Sequence, residues 1–89
     1  MPHVEFAAAI QRHQPCPPQQ VAATTVGMAL EIVFAQHPQL RGYILDDRGV
    51  LRRHVAIFVD GHRVRDREHL TDATDPDTEI YVVQALSGG

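Results

Sequence analysis

Apolar residues recur at every second position in three segments of the chain, a pattern typical of half-buried β-strands. These segments cover residues 3–10, 54–60 and 79–86. A weaker alternation over residues 19–23 predicts a short strand that returns antiparallel to the first. The polar, proline-rich residues 11–18 between these two strands predict a loop.

One segment has the spacing of an amphipathic helix instead. Its apolar residues follow the i, i+3, i+4 rule and would form one face: Val26, Ala29, Leu30, Val33 and Phe34. Thr24-Thr25 offers a hydroxyl N-cap before this face, and Pro38 disfavours helical dihedrals at His37. The sequence therefore predicts a helix from Val26 to about His37. Because a single amphipathic helix cannot bury its apolar face alone, we expect it to lie across a sheet.

The remaining segments complete an α+β order of elements. Residues 39–53 are rich in turn sequences and predict a connection that tucks one apolar segment under the sheet edge. Asp60-Gly61 between apolar runs is a strong hairpin signal, with residues 62–64 as a short return strand. Residues 65–76 predict an irregular segment with one helical turn near Leu70, and a turn at 75–77 leads into the last strand. We predict an α+β roll with a mixed four- to five-stranded sheet, one main helix on one face, and the first and last strands as neighbours.

The period-two pattern also separates the two faces of that sheet. The branched aliphatic residues Val55, Ile57, Val59, Ile80 and Val82 suit the core beneath the helix. The opposite, open face would carry Ala7, Ala56, Phe58, Tyr81, Val83 and Ala85. Apolar residues on an open sheet face indicate a docking surface for a partner. Burial of this face by the 40–52 connection, or ordinary scattered apolar exposure, would explain the same pattern.

Composition excludes several classes of function. The 89 residues are sufficient for one domain, and the net charge of −3 without a basic stripe argues against nucleic-acid binding. Neither a signal peptide nor a membrane-spanning run is apparent, so we expect a cytoplasmic protein without a membrane partner. All eight cationic residues are arginine, which a GC-rich genome would favour.

The residue types that usually carry chemistry are scattered. Cys16 is the single cysteine and lies in a proline-rich loop without a nearby base, so neither a disulfide nor a catalytic thiol is expected. The six histidines fit no compact set of metal ligands: 3, 13, 37, 54, 62 and 69. The aspartates at 46, 47, 66, 72, 75 and 77 lack EF-hand spacing and are interpreted as turn residues. We therefore expect no bound metal, no bound cofactor and no intrinsic catalytic residue.

The last residues, Ser87-Gly88-Gly89, follow an apolar strand without a capping turn. Two glycines make a thin, mobile thread that can enter a narrow tunnel, and the Gly89 carboxylate is the only reactive group there. A carboxylate is a poor electrophile, so its chemistry would need activation by another protein, for example as an acyl-adenylate. A frayed terminus is the alternative. The predicted organisation is one domain over 1–86 and a flexible tail over 87–89.

The ordered set of elements resembles the ubiquitin-like sulfur-carrier group of β-grasp proteins. That group includes the small subunit of molybdopterin synthase, the thiamin-pathway carrier and the carrier of a bacterial cysteine-forming route. The residues that carry the resemblance are the 51–61 strand and turn, Val64-Arg65, the 75–78 turn, and Ala85-Leu86-Ser87-Gly88-Gly89. The long 40–53 connection is most similar to the cysteine-route carrier. Ala7, where several relatives have a bulky aromatic residue, and the proline-rich loop depart from the pattern.

The resemblance implies a carrier, not an enzyme. A ubiquitin-activating-type adenylyltransferase would use ATP to adenylate Gly89, sulfur would replace AMP, and a sulfur-accepting synthase or hydrolase would take the sulfur from the thiocarboxylate. The open face, with Phe58, Tyr81 and Val83, would dock these partners. Two other classes remain open: a protein modifier joined to target lysines through Gly89, and a binding module in which Gly88-Gly89 is incidental.

Overall fold

The last strand of the chain forms the centre of a five-stranded sheet. The computed structural model describes residues 1–84. Their elements are, in order, β1 (His3–Phe6), α1 (Ala8–Gln11), β2 (Gln19–Gln20), α2 (Val26–Gln36), α3 (Pro38–Ile44), β3 (Val55–Val59), β4 (His62–Arg63) and β5 (Glu79–Gln84). The spatial order of strands is β2-β1-β5-β3-β4. Only β1 and β5 are parallel, and the other pairs are antiparallel.

The first and last strands are neighbours, as predicted from the sequence. Their register pairs His3 with Glu79 and Phe6 with Val82. Val4 and Val82 have no exposed surface at all. In β5, Ile80 and Val82 share the face towards the helices and are buried, whereas Glu79 and Tyr81 on the opposite face are exposed.

The predicted strand over residues 3–10 is wrong in its second half. β1 ends at Phe6, and Ala8–Gln11 form the short helix α1. Alanine is the best helix former, and the Gln11 side chain donates a hydrogen bond of 3.0 Å to the carbonyl of Phe6. Ile10 is still buried, but it reaches the core from a helix. The apolar residues of this segment therefore have the spacing of a strand up to Phe6 and the spacing of a helix after it.

Helix α2 confirms the amphipathic pattern. Its five buried residues are Val26, Ala29, Leu30, Val33 and Phe34. The Thr25 hydroxyl caps the helix by accepting the Met28 N–H at 3.1 Å. Such a cap stabilises a helix by about 0.5–2 kcal/mol. Gly27 allows a close approach, because its N–H donates to the Leu70 carbonyl at 2.9 Å and a Cβ would lie 3.1 Å from that oxygen.

The prediction that residues 39–53 are mostly connection is wrong at its start. Pro38 begins a second helix, α3, in addition to ending α2. Proline suits the first position of a helix, where its missing N–H has no intrahelical partner and its φ is already helical. Leu40 and Ile44 are fully buried, and Leu45 is 4% exposed. The apolar segment thus packs into the core as one helical face.

The predicted hairpin between β3 and β4 is confirmed. Asp60 and Gly61 both have positive φ, 50° and 85°, as a tight two-residue hairpin turn requires. Asp60 also holds the start of β5: its N–H donates to the Glu79 carbonyl at 2.8 Å, and its carboxylate accepts the Glu79 N–H at 2.9 Å. Near Leu70, a single turn is closed by its N–H donating to the Asp66 carbonyl at 3.0 Å.

Candidate functional site

The end of β5 is the part of the candidate site that the structure describes. The predicted activation residues Gly88 and Gly89, and the predicted docking residue Ala85, lie outside the described residues. Gln84, the last residue of β5 that the structure describes, lies opposite Val55, the first residue of β3. Because β5 is the central strand, the chain continues towards Gly89 from the middle of the sheet.

The strand register places the predicted docking residues on one face. Phe58 pairs with Tyr81, and Ala56 pairs with Val83. Tyr81 is 42% exposed, whereas Phe58 and Val83 are half-buried. Ala56 lies on the same face but is only 4% exposed, so its side chain offers almost no surface to a partner. Phe58, Tyr81 and Val83 are called the open-face cluster below.

Charged groups lie around the open-face cluster. The Arg63 guanidinium carbon is 5.8 Å from the centre of the Phe58 ring, a distance suited to a cation–π contact. On β1, Glu5 pairs with Tyr81. A groove beside the cluster is lined by Phe58, Asp60, Gly61, Glu79 and Tyr81. An apolar centre with a charged rim is the usual arrangement of a protein–protein interface.

The Cys16 thiol is poorly suited to chemistry. Its residue is 1% exposed, and burial raises the pKa of the thiol above its usual value, although a contact with Gln19 opposes that effect. A raised pKa keeps sulfur in the unreactive thiol form. Within residues 1–84, no three histidine, cysteine, aspartate or glutamate side chains come close enough to hold a metal ion.

The aspartates of residues 66–77 organise turns, as predicted. Asp66 accepts hydrogen bonds from the Thr71 hydroxyl at 2.7 Å and from the N–H of His69 at 2.9 Å. Led by the Thr71 bond, these contacts lower the pKa of Asp66 to about 2. Asp72 accepts the N–H groups of Arg65 and Asp66. These carboxylates stabilise a loop and are already occupied by protein donors.

Sequence analysis missed one contact at the end of β5. The hydroxyl of Tyr43, in α3, donates a 2.6 Å hydrogen bond to Oε1 of Gln84. The residues are 41 positions apart, and no periodic pattern links them. The only available signal was an aromatic residue with a polar tip in a segment interpreted as connection.

Comparison with solved structures assigns the architecture. Chains that match include SAMP1 from Haloferax volcanii, with 24% identity, a TM-score of 0.76, and coverage of 99% of this chain and 98% of that chain. The CysO of the Amycolatopsis orientalis BexX/CysO complex matches with 17% identity, a TM-score of 0.82 and full coverage of both chains. Mycobacterium tuberculosis CysO matches with 19% identity, a TM-score of 0.81, and coverage of 97% and 100%.

The chain has the β-grasp fold. The predicted fold class is confirmed by these neighbours. At these identities the similarity establishes the fold. Scans of the sequence against protein-family models and curated proteins gave no match. None of the helices in residues 1–84 is long and apolar enough to cross a membrane.

Proposed function

We propose that this protein is a sulfur carrier whose Gly89 carboxylate is activated by adenylation and converted to a thiocarboxylate. The observation that supports the proposal is a β-grasp body in which the central strand β5 leads into Ala85-Leu86-Ser87-Gly88-Gly89. The match to CysO and SAMP1 over at least 97% of the chain supports a protein of the same kind.

The chemistry takes place in two steps at the Gly89 carboxylate. A carboxylate oxygen attacks the α-phosphorus of ATP, pyrophosphate leaves, and an acyl-adenylate forms. A sulfur nucleophile at the oxidation level of sulfide then attacks the carbonyl carbon and displaces AMP. The product is a thiocarboxylate, and no electrons are transferred. The nucleotide site belongs to the activating enzyme, so the carrier needs no catalytic side chain or cofactor of its own.

The carrier contributes reach and recognition. The two glycines have no side chains to obstruct a narrow active-site tunnel. The open-face cluster supplies the apolar centre of a docking surface for two successive partners, a ubiquitin-activating-type adenylyltransferase and a sulfur-accepting synthase or hydrolase. One of the structural neighbours, CysO, was solved in a complex with BexX, which supports a carrier that works within protein complexes.

A protein modifier is the second candidate. The neighbour from Methanosarcina acetivorans is named small archaeal modifier protein 1, and it matches with 20% identity and a TM-score of 0.82. In this role an amine of a target protein, in place of sulfide, would attack the Gly89 acyl-adenylate and displace AMP. Both roles share the adenylation step and differ in the nucleophile.

Intact-mass spectrometry separates the two candidates. The purified protein would be incubated with ATP, sulfide and an adenylating enzyme of the ubiquitin-activating type from the same genome. Replacement of one carboxylate oxygen by sulfur supports the carrier. Conjugates with target proteins, formed in cell extract, support the modifier. An unchanged mass, together with no ATP–pyrophosphate exchange, contradicts both.

Deletion of Gly89 is the control for the site. The shortened chain should lose adenylation and keep the thermal unfolding midpoint of the full chain, because glycine has no side chain to contribute to a core. Unchanged adenylation after the deletion would exclude Gly89 as the reacting residue.

A further inference from the structure

Four side chains from separate parts of the chain meet at the end of β5. The Tyr43 ring lies between two histidines: His13 is stacked against it at 5.0 Å between ring centres, and His54 meets it edge-on at 5.4 Å. The Tyr43 hydroxyl donates to Gln84 at 2.6 Å. Ring contacts on a face and an edge restrict the rotation of Tyr43, so its hydroxyl is held at one place.

The backbone gives Gln84 less support than the residues before it. On one side, the paired register of β1 ends at Phe6 opposite Val82, and the Ala7 N–H donates to the Val82 carbonyl at 2.9 Å before the chain turns into α1. On the other side, β3 continues to Val55 opposite Gln84. Gln84 is therefore paired on the β3 side alone. The hydrogen bond from Tyr43 adds a side-chain support where the ladder with β1 has ended.

We propose that Tyr43 is a positioning residue for the C-terminal tail. Acting through Gln84, it fixes the position of the last described residue of β5, from which the chain continues towards Gly89. This inference rests on the proposed function, because it concerns delivery of the tail to an activating enzyme. It assigns a role to residues outside the open-face cluster and outside the tail itself.

The short length of the tail explains why the position of Gln84 matters. Five residues follow Gln84 and span at most about 17 Å when extended. A shift of Gln84 moves the point from which this limited reach is measured. Misplacement of a reacting group by about 1 Å is sufficient to slow a reaction substantially. Loss of the Tyr43 bond should therefore reduce the rate of adenylation without weakening docking of the body.

The test compares Tyr43→Phe, Gln84→Met and Gln84→Glu with the wild-type chain in adenylation assays. Tyr43→Phe and Gln84→Met remove the donor and the acceptor, respectively. Each should lower kcat by about three- to tenfold with KM unchanged, the range for loss of one neutral hydrogen bond. Gln84→Glu keeps an acceptor oxygen and should retain the wild-type kcat. The double variant of Tyr43→Phe and Gln84→Met should be no slower than either single variant, because both remove the same bond.

A control variant separates positioning from a general loss of stability. Thr71→Val also removes one hydroxyl hydrogen bond, 2.7 Å long, which Thr71 donates to Asp66 and which involves neither Tyr43 nor Gln84. It should leave kcat unchanged. Amide hydrogen exchange supplies a readout that does not depend on activity: exchange at Val83 and Gln84 should be faster in Tyr43→Phe and unchanged in Thr71→Val.

The outcomes distinguish this inference from the proposed function. Equal kcat values for Tyr43→Phe and the wild type overturn the positioning role, as does an equal loss in Thr71→Val. If the wild type itself is not adenylated, the proposed function fails, and with it any role of Tyr43 in delivery. Exchange that is unchanged at Val83 and Gln84 in Tyr43→Phe also overturns the inference.

Discussion

The two faces of the sheet carry similar kinds of side chain in opposite surroundings. On the helix-covered face, Val4, Ile80 and Val82 are at most 1% exposed. On the other face, Tyr81 is 42% exposed and Phe58 is half-buried. Burial of one aliphatic side chain stabilises a fold by about 1.5–3 kcal/mol, so the covered face accounts for much of the stability. The open face contributes less to folding, so its apolar side chains are free to serve the docking role that is proposed for them.

The largest effect should come from exchanging a residue on the covered face for alanine. Ile57 is 1% exposed, and Ile57→Ala should lower the free energy of unfolding by about 2–5 kcal/mol, because a buried side chain is lost and a cavity remains. Urea denaturation measures this change. The matched variant is Phe58→Ala, the next residue on the opposite face, which should cost clearly less. Equal losses for both variants would abolish the distinction between the faces.

An intermediate effect is expected at Tyr81, and it should appear in binding instead of stability. Tyr81→Thr removes the exposed ring but keeps a residue suited to a strand. It should weaken the complex with the activating enzyme by roughly tenfold, as expected for an aromatic interface residue. The unfolding midpoint should stay near that of the wild type. Calorimetric titration measures the affinity, and wild-type affinity would exclude Tyr81 from the interface.

The smallest effect is a loss of stability at low pH, and it arises in a loop that belongs to neither face of the sheet. The pKa of Asp66 is lowered from 3.8 to about 2, so its ionised form stabilises the folded state at higher pH. That contribution is complete well above pH 4 and is lost as the pH falls towards 2. Thr71→Val removes the largest cause of the shift and should raise the pKa of Asp66. Two-dimensional NMR titration would detect this change, and an unchanged pKa would exclude the Thr71 hydroxyl as its cause.

Local signals explain which elements could be predicted from the sequence. The spacing of Val26 to Phe34 and the Asp60-Gly61 pair each determine an element within a few residues, and both predictions are confirmed. Pro38 was interpreted only as the end of a helix, although proline also suits the first position of the next one. The prediction of one strand over residues 3–10 is wrong because the apolar alternation continues by chance through alanines, which favour a helix.

Only the strand residues of the candidate site, which alternate between apolar faces in the sequence, could be predicted. Period two correctly grouped Phe58, Tyr81 and Val83 on one face, and the strand register follows that grouping. It could not indicate that Ala56 is covered, because cover depends on neighbours remote in sequence. The contact of Tyr43 with Gln84 was invisible for the same reason, since it joins α3 to β5 across 41 positions. The predicted docking role of this face stays a prediction.

The parallel pairing of β1 with β5 has a consequence for biosynthesis. Residues 3–6 emerge first from the ribosome, yet their partner strand is residues 79–84. The sheet therefore cannot be completed before β5 has been translated, because β5 is its central strand. Resistance to proteases is accordingly expected only of molecules that have been made through Gln84.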